Sequence, residues 1–211
     1  MRRIDQLVAG TALTLFASAA SATIIIDNNT TGWYNDGLGD LAETYGPLSS
    51  SFPGAGVSEG DPVVNPLPEP DLSLTPNLGN WLGADFTAGT WSGPNTPIPG
   101  SWTVNDETAI VYQFILDKAA SITVDIGVDN GIFAWINGNF EFGAMASGGS
   151  SPGEYSFGTV LGAGTHYLQL LREDHGGSTG YDIMVTAVPE PATLALMGLG
   201  LLGMGMARRK S

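Results

Sequence analysis

The run Ala120-Ser121-Ile122-Thr123-Val124-Asp125-Ile126-Gly127-Val128, continued by Asp129-Asn130-Gly131 and then Ile132-Phe133-Ala134-Trp135-Ile136-Asn137-Gly138, decides the fold class. Ile122, Val124, Ile126 and Val128 alternate with Ser121, Thr123, Asp125 and Gly127, so an extended chain puts the apolar side chains on one face. That is the pattern of a half-buried strand. Asp129-Asn130-Gly131 supplies turn residues, and Asn137-Gly138 tolerates the positive φ that a two-residue type I′ hairpin demands. Further β-forming segments flank this core at 109–116, 139–142, 155–160, 165–172 and 181–188, with Gly162-Ala163-Gly164 as another turn. Short strands at this spacing, with no amphipathic helix between them, imply an all-β fold built as a single antiparallel sandwich.

Upstream of residue 105 the composition changes. Ten of the 13 prolines lie between Pro47 and Pro99, among Gly, Ser and Asn, so 46–80 reads as mostly irregular. Only short strands are expected to interrupt this half, near 23–27 and around 80–91. Trp81, Trp91 and Trp102 need apolar surroundings, which favours an ordered excursion over the sheet rather than a flexible linker.

Both ends read as addresses. Arg2 and Arg3 precede an apolar stretch at 7–17 and the small residues Ala20-Ser21-Ala22, the arrangement of a secretory signal peptide. Cleavage is expected after Ala22, with Ser18-Ala19-Ala20 as a neighbouring alternative. At the other end, Pro189-Glu190-Pro191 is followed by an uncharged run at 192–207 and by Arg208-Arg209-Lys210-Ser211. As a helix that run would rise about 24 Å, slightly less than a bilayer core of about 30 Å. The basic tip would stay cytoplasmic and leave everything before Pro189 on the far side. The expected organisation is a signal peptide at 1–22, a sandwich domain at 23–188 and an anchor segment at 189–211.

In its order of Pro-Glu-Pro, short apolar helix and basic tip, the ending resembles the PEP-CTERM sorting signal of Gram-negative bacteria that make exopolysaccharide. Pro189, Glu190 and Pro191 match its tripeptide, and Arg208, Arg209 and Lys210 its basic tip. The resemblance implies export through the Sec translocon, transient anchoring in the inner membrane, and processing by an exosortase, an integral-membrane cysteine protease. The chain would then belong to the cell envelope or extracellular matrix. An ordinary C-terminal anchor is the competing reading. A second tripeptide, Pro68-Glu69-Pro70, has neither an apolar run nor a basic tip after it.

With the ends set aside, residues 23–188 hold Lys118 and Arg172 against 19 carboxylates, a formal net charge of −17. Such a surface repels phosphate backbones, which excludes nucleic acid as a partner and leaves cations, neutral glycans and basic partners. The absence of cysteine removes disulfides, thiolate metal sites and cysteine nucleophiles together.

The segment Gly127-Val128-Asp129-Asn130-Gly131-Ile132-Phe133-Ala134-Trp135-Ile136-Asn137-Gly138 is similar to the strand, acidic turn, aromatic strand and Asn-Gly hairpin of galactose-binding-like and PA14-like jelly rolls. That resemblance, over 120–185, implies a jelly roll with a carbohydrate ligand and structural Ca²⁺ at acidic turns.

Candidate site residues fall in three groups. Arg172-Glu173-Asp174-His175-Gly176-Gly177 leaves a strand for a glycine-rich loop, where Arg172 and Asp174 would suit vicinal diols and His175 lies beside them. The structural alternative has Arg172 paired with a neighbouring carboxylate. Asp27-Asn28-Asn29-Thr30-Thr31-Gly32 imitates the start of an EF-hand loop, but Leu38 stands where a bidentate Glu is required. A looser Ca²⁺ site using Asp27, Asp36 or Asp40 remains, as does one at Asp129 and Asn130, and solvated turns account for both as well. Among Trp33, Trp81, Trp91, Trp102 and Trp135, one is expected to offer its ring to a sugar, and Trp135 joins Arg172, Asp174 and His175 as the ligand-binding set. Catalysis is not expected. His166 lies within a predicted strand, no Gly-x-Ser-x-Gly occurs, and a carboxylate pair acting on exopolysaccharide is defined only in three dimensions. The expected function is adhesive or structural carbohydrate contact, with an exopolysaccharide hydrolase and a Ca²⁺-stabilised scaffold without ligand as alternatives.

Overall fold

The alternating run becomes β4 (Ala120–Asp129), and the aromatic run becomes β5 (Gly131–Ile136). These belong to a computed structural model that describes residues 21–46, 48–57, 60–145 and 149–190. Residues 1–20 of the expected signal peptide, Ala20 among them, lie outside the described residues, as do Pro191, Arg208, Arg209 and Lys210. The unit Ala22–Pro189 adds β1 (Thr23–Asp27), β2 (Trp33–Asn35), β3 (Thr108–Leu116), β6 (Asn139–Met145), β7 (Tyr155–Leu161), β8 (Gly164–Glu173) and β9 (Gly180–Pro189). All pair antiparallel, in one sheet of order β1-β9-β4-β7 and another of order β2-β3-β8-β5-β6. Without the edge strand β2, the other eight divide into sheets of order β1-β9-β4-β7 and β3-β8-β5-β6, the order of a jelly roll. Asn137 and Gly138, with φ of 52° and 76°, make the expected type I′ turn between β5 and β6.

The period of two divides the side chains between two cores. Ile122, Val124, Ile126 and Val128 from β4 meet Ile110 and Tyr112 from β3, Ile132 and Ala134 from β5, and Leu168 and Leu170 from β8 between the sheets. The opposite face of the five-stranded sheet carries Ala109, Val111, Phe133, Trp135 and Leu171, and it is equally dry. The proline-rich segment covers it with Leu38, Leu41, Phe52, Leu67, Leu78 and Trp81. Trp81 meets Trp135 edge-on at 5.3 Å, and Phe52 lies 5.8 Å from Phe133. The cover is therefore an ordered third layer. It also closes both edges of the sheet: Val64 pairs with Met145 of β6, and Thr96 with Gly32 just before β2.

Two expectations are corrected here. No strand forms around 80–91, because Trp81–Gly83 is a 3-10 turn and its tryptophan is an anchor rather than a ladder residue. The helix Leu41–Tyr45 was not expected. It is one short turn started by Asp40, whose side chain accepts from the Glu43 amide at 2.6 Å, and five residues are too few to show a helical period.

Candidate functional site

Where β8 ends, Glu173 points to the covered face of the sheet and meets Glu107, just ahead of β3, and His175 from the following loop. His175 Nε2 lies 3.1 Å from Glu173 Oε1 and 3.7 Å from Glu107 Oε1, with both carboxylates fully buried and the imidazole 10% exposed. The proximity is ionic, because neither contact has hydrogen-bond geometry. Glu107 Oε2 accepts the Leu41 amide at 2.5 Å, and His175 Nδ1 lies 2.7 Å from the Val57 carbonyl, which requires a proton on Nδ1. Both supporting groups come from the cover. Burial pushes the Glu107 carboxyl up to about 7 and raises that of Glu173. Burial works against an imidazolium at His175, but Glu107 and Glu173 outweigh it and raise its pKa to about 11.

These shifts share one sign. Glu107, Glu173 and His175 all hold protons more tightly in the folded chain than in the unfolded one, as do the buried Asp174 and the partly buried Glu141 and Glu154. Stability carried by such groups is complete below the unfolded pKa and disappears as pH rises through the folded one. For Glu107 that window runs from 4.5 to about 7, and for His175 from 6.5 to about 11. The protein is therefore expected to have a higher urea midpoint at pH 5 than at pH 9, measured in the presence of a chelator, with Glu107→Gln flattening the slope below pH 7. A midpoint rising over that range would contradict this charge arrangement.

The other predicted residues are dispersed. Arg172 is fully buried and turns to the opposite face, between the sheets. Among the described residues no carboxylate pairs with it, contrary to expectation: Arg172 donates through Nε to Thr108 Oγ1 at 2.9 Å and through Nη1 to the Pro99 carbonyl at 2.7 Å. Its guanidinium sits 4.1 Å from the Trp102 ring and 4.8 Å from that of Tyr181. Trp135 is no sugar platform, being fully buried and donating its Nε1 proton to Glu69 Oε1 at 2.7 Å. Asp129 and Asn130 are not a solvated turn. Both are buried, across a cis peptide, and they knit the β4–β5 turn to the loop after β8. Asn130 Oδ1 accepts the His175 amide at 2.8 Å, and Asp129 Oδ2 accepts the Ser178 hydroxyl at 3.0 Å. Asp174 Oδ2 accepts the amides of Asn105 at 2.6 Å and Gly176 at 3.2 Å. Asp27 closes its own turn, where the Asn29 amide and then the Thr30 hydroxyl hold its carboxyl below the ordinary value.

A polar cleft of about 230 Å³ opens beyond Arg172, lined by Tyr34, Asp36, Ser101, Trp102, Thr103 and Asp106 among others. Trp102 is half-buried, donates to the Asp106 carbonyl at 2.7 Å, and stacks on Arg172. Asp36 is exposed and lines the cleft. Glu107 and Asp106 escaped the sequence reading because they stand in a loop without a motif.

The class defined by these features is a jelly-roll sandwich with a sealed third layer. Residues 187–210 match the family model described as the PEP-CTERM protein-sorting motif. The chain thus ends in that motif, which implies an exported exosortase substrate held to the membrane through its C-terminal region. Pro189, its first proline, is also the last residue of β9, opposite Ala120. Among the described residues no helix is long and apolar enough to cross a membrane, and the expected span lies outside them. No curated protein matches the chain. The PA14 domain of the MpAFP antifreeze protein is similar at 17% identity and TM-score 0.31, over 78% of this chain and 65% of that one. A Paenibacillus sp. cycloisomaltooligosaccharide glucanotransferase complexed with cycloisomaltoheptaose is similar at 15% identity and TM-score 0.28, over 42% of this chain and 13% of that one. The chain spans less than two thirds of either structure.

Proposed function

We propose that this exported domain is a non-catalytic adhesive or structural component of the cell envelope or extracellular matrix, and that it contacts exopolysaccharide through the cleft at Trp102. The observation that carries the reading is the gathering of Asp36, Asp106, Ser101 and Thr103 around a half-buried tryptophan on a chain bearing a sorting motif. Carboxylates and hydroxyls suit sugar hydroxyls, and the ring adds apolar contact. A net charge of −17 over 23–188 favours neutral over acidic glycans.

The test is binding of the full-length protein, in detergent, to purified neutral exopolysaccharide, with Asp36→Asn and Asp106→Asn as single and combined variants. The double variant is expected to bind about thirtyfold more weakly, since each change replaces a charged acceptor, worth about 1.5–3 kcal/mol, by a neutral one worth about 0.5–1.5 kcal/mol. Undiminished binding would remove the cleft from the reading. Release of reducing ends that stops in the double variant would make the protein a hydrolase instead. The Ca²⁺-stabilised scaffold draws support from Asp129 Oδ1 and Asp174 Oδ1, which are buried without hydrogen-bond partners. Asn130 fits that role poorly, its Oδ1 being engaged by His175.

A further inference from the structure

The cluster beneath the cover has a use that neither sorting nor glycan contact requires. Glu107, Glu173 and His175 each present one ligand-type atom, and these atoms all lie within 4.8 Å of one another. We propose that the three side chains bind a first-row divalent cation of the Zn²⁺ type, which fastens the proline-rich cover to the sheet.

The first argument is the set of orphaned atoms. Both oxygens of Glu173, Oε1 of Glu107 and Nε2 of His175 are buried without a hydrogen-bond partner, and the two glutamates are fully buried. Leaving buried carboxylate oxygens without hydrogen bonds is costly, and several aimed at one point suit a cation. The second argument is outer support. The Leu41 amide holds Glu107 Oε2 and leaves Oε1 free, while the Val57 carbonyl takes the Nδ1 proton of His175 and leaves a lone pair on Nε2. An imidazole that ligates a metal ordinarily gives its other proton to a carbonyl or carboxylate in this way.

Spacing and charge agree. Ligands about 2.0–2.2 Å from a metal stand about 2.8–3.6 Å apart at octahedral or tetrahedral angles. Of the contacts from His175 Nε2 to the two carboxylates, the one of 3.1 Å falls within that range and the one of 3.7 Å lies just beyond it. Two carboxylates and a neutral imidazole carry −2, which a divalent cation neutralises while displacing the protons that the empty cluster shares. The nitrogen donor selects Zn²⁺-type ions over Ca²⁺ and Mg²⁺, which prefer oxygen alone. Gly131 makes room for the arrangement: a Cβ there would come within 2.7 Å of Glu173 Oε2 and 2.0 Å of Met145 Sδ.

The experiment uses untagged full-length protein in detergent, stripped with chelator and titrated separately with Zn²⁺, Co²⁺ and Ca²⁺. One equivalent of Zn²⁺ is expected to bind, with affinity rising between pH 6 and pH 8. It should raise the melting temperature by about 5–10 °C at free Zn²⁺ of about 100 times Kd. Co²⁺ should give visible d–d absorption. Glu173→Gln keeps the shape and leaves Glu107 facing His175, so its own cation-free melting temperature is the reference for its Zn²⁺ shift. It should lose the Co²⁺ spectrum and bind Zn²⁺ about a hundredfold more weakly, as should His175→Gln. No Zn²⁺-dependent shift in the wild type would overturn the proposal. So would a shift that survives in Glu173→Gln, or Ca²⁺ stabilising both proteins equally while Zn²⁺ does not, which would place the cation at the acidic turn.

Discussion

Replacing Arg172 with alanine is expected to cost about 3–5 kcal/mol, the range for truncating a large buried side chain and its hydrogen bonds. Arg172 is buried between the sheets, and three lining residues of the cleft, Pro99, Thr108 and Tyr34, accept hydrogen bonds from it at 2.7, 2.9 and 3.5 Å. Alanine would leave the Pro99 carbonyl and Thr108 hydroxyl short of a partner and open a void among Tyr34, Trp102 and Tyr181. Lysine should not rescue it, because an ammonium cannot hold two bonds in one plane while stacking on Trp102 at 4.1 Å. Against a domain stability of about 5–15 kcal/mol, such a loss brings the chain near its threshold. Urea denaturation of both variants provides the check. A loss under about 1 kcal/mol would mean the guanidinium cage contributes little.

Trp135→Ala should cost about 3–5 kcal/mol as well, through the other face of the same sheet. The indole packs edge-on against Trp81 at 5.3 Å and Phe140 at 5.5 Å, and its Nε1 proton satisfies Glu69. Glu69 belongs to the second Pro-Glu-Pro, so that tripeptide works inside the fold as part of the cover. Phenylalanine should recover most of the packing and none of the hydrogen bond, leaving a cost of about 1–2 kcal/mol. A sugar platform would behave differently, losing ligand affinity in the alanine variant with stability intact. Thermal denaturation beside glycan binding separates the two.

The sandwich was legible because period two is a local property. Residues 121–128, the Asn137-Gly138 turn and the segments after them say which face is apolar without reference to any partner. The third layer was harder to read, because 46–80 has no period, and only its tryptophans hinted at a surface to pack on. β5 shows the limit of the pattern: every residue from Gly131 to Ile136 is buried, so its sequence cannot tell which face meets which core. The candidate site was half legible. The Arg172–His175 run drew attention as a group, yet strand alternation sends Arg172 and Glu173 to opposite faces, into different chemistry. Glu107 has no sequence neighbour that marks it, and its place beside Glu173 and His175 depends on the register of β3 against β8. Asp129 and Asn130 look like an ordinary polar turn until the loop after β8 buries them.

The central claim, an exported sandwich sorted by its C-terminal motif, is tested most directly by intact mass and envelope fractionation of the native protein. The comparison is wild type against a chain ending at Pro189, a cut that keeps β9 whole because Pro189 is its last residue. The account predicts that the wild type has lost mass from its C-terminal segment and has left the inner membrane, while the shortened chain is exported without ever being held there. A full-length wild type lodged in the inner membrane would contradict exosortase processing and make the domain an ordinary anchored one.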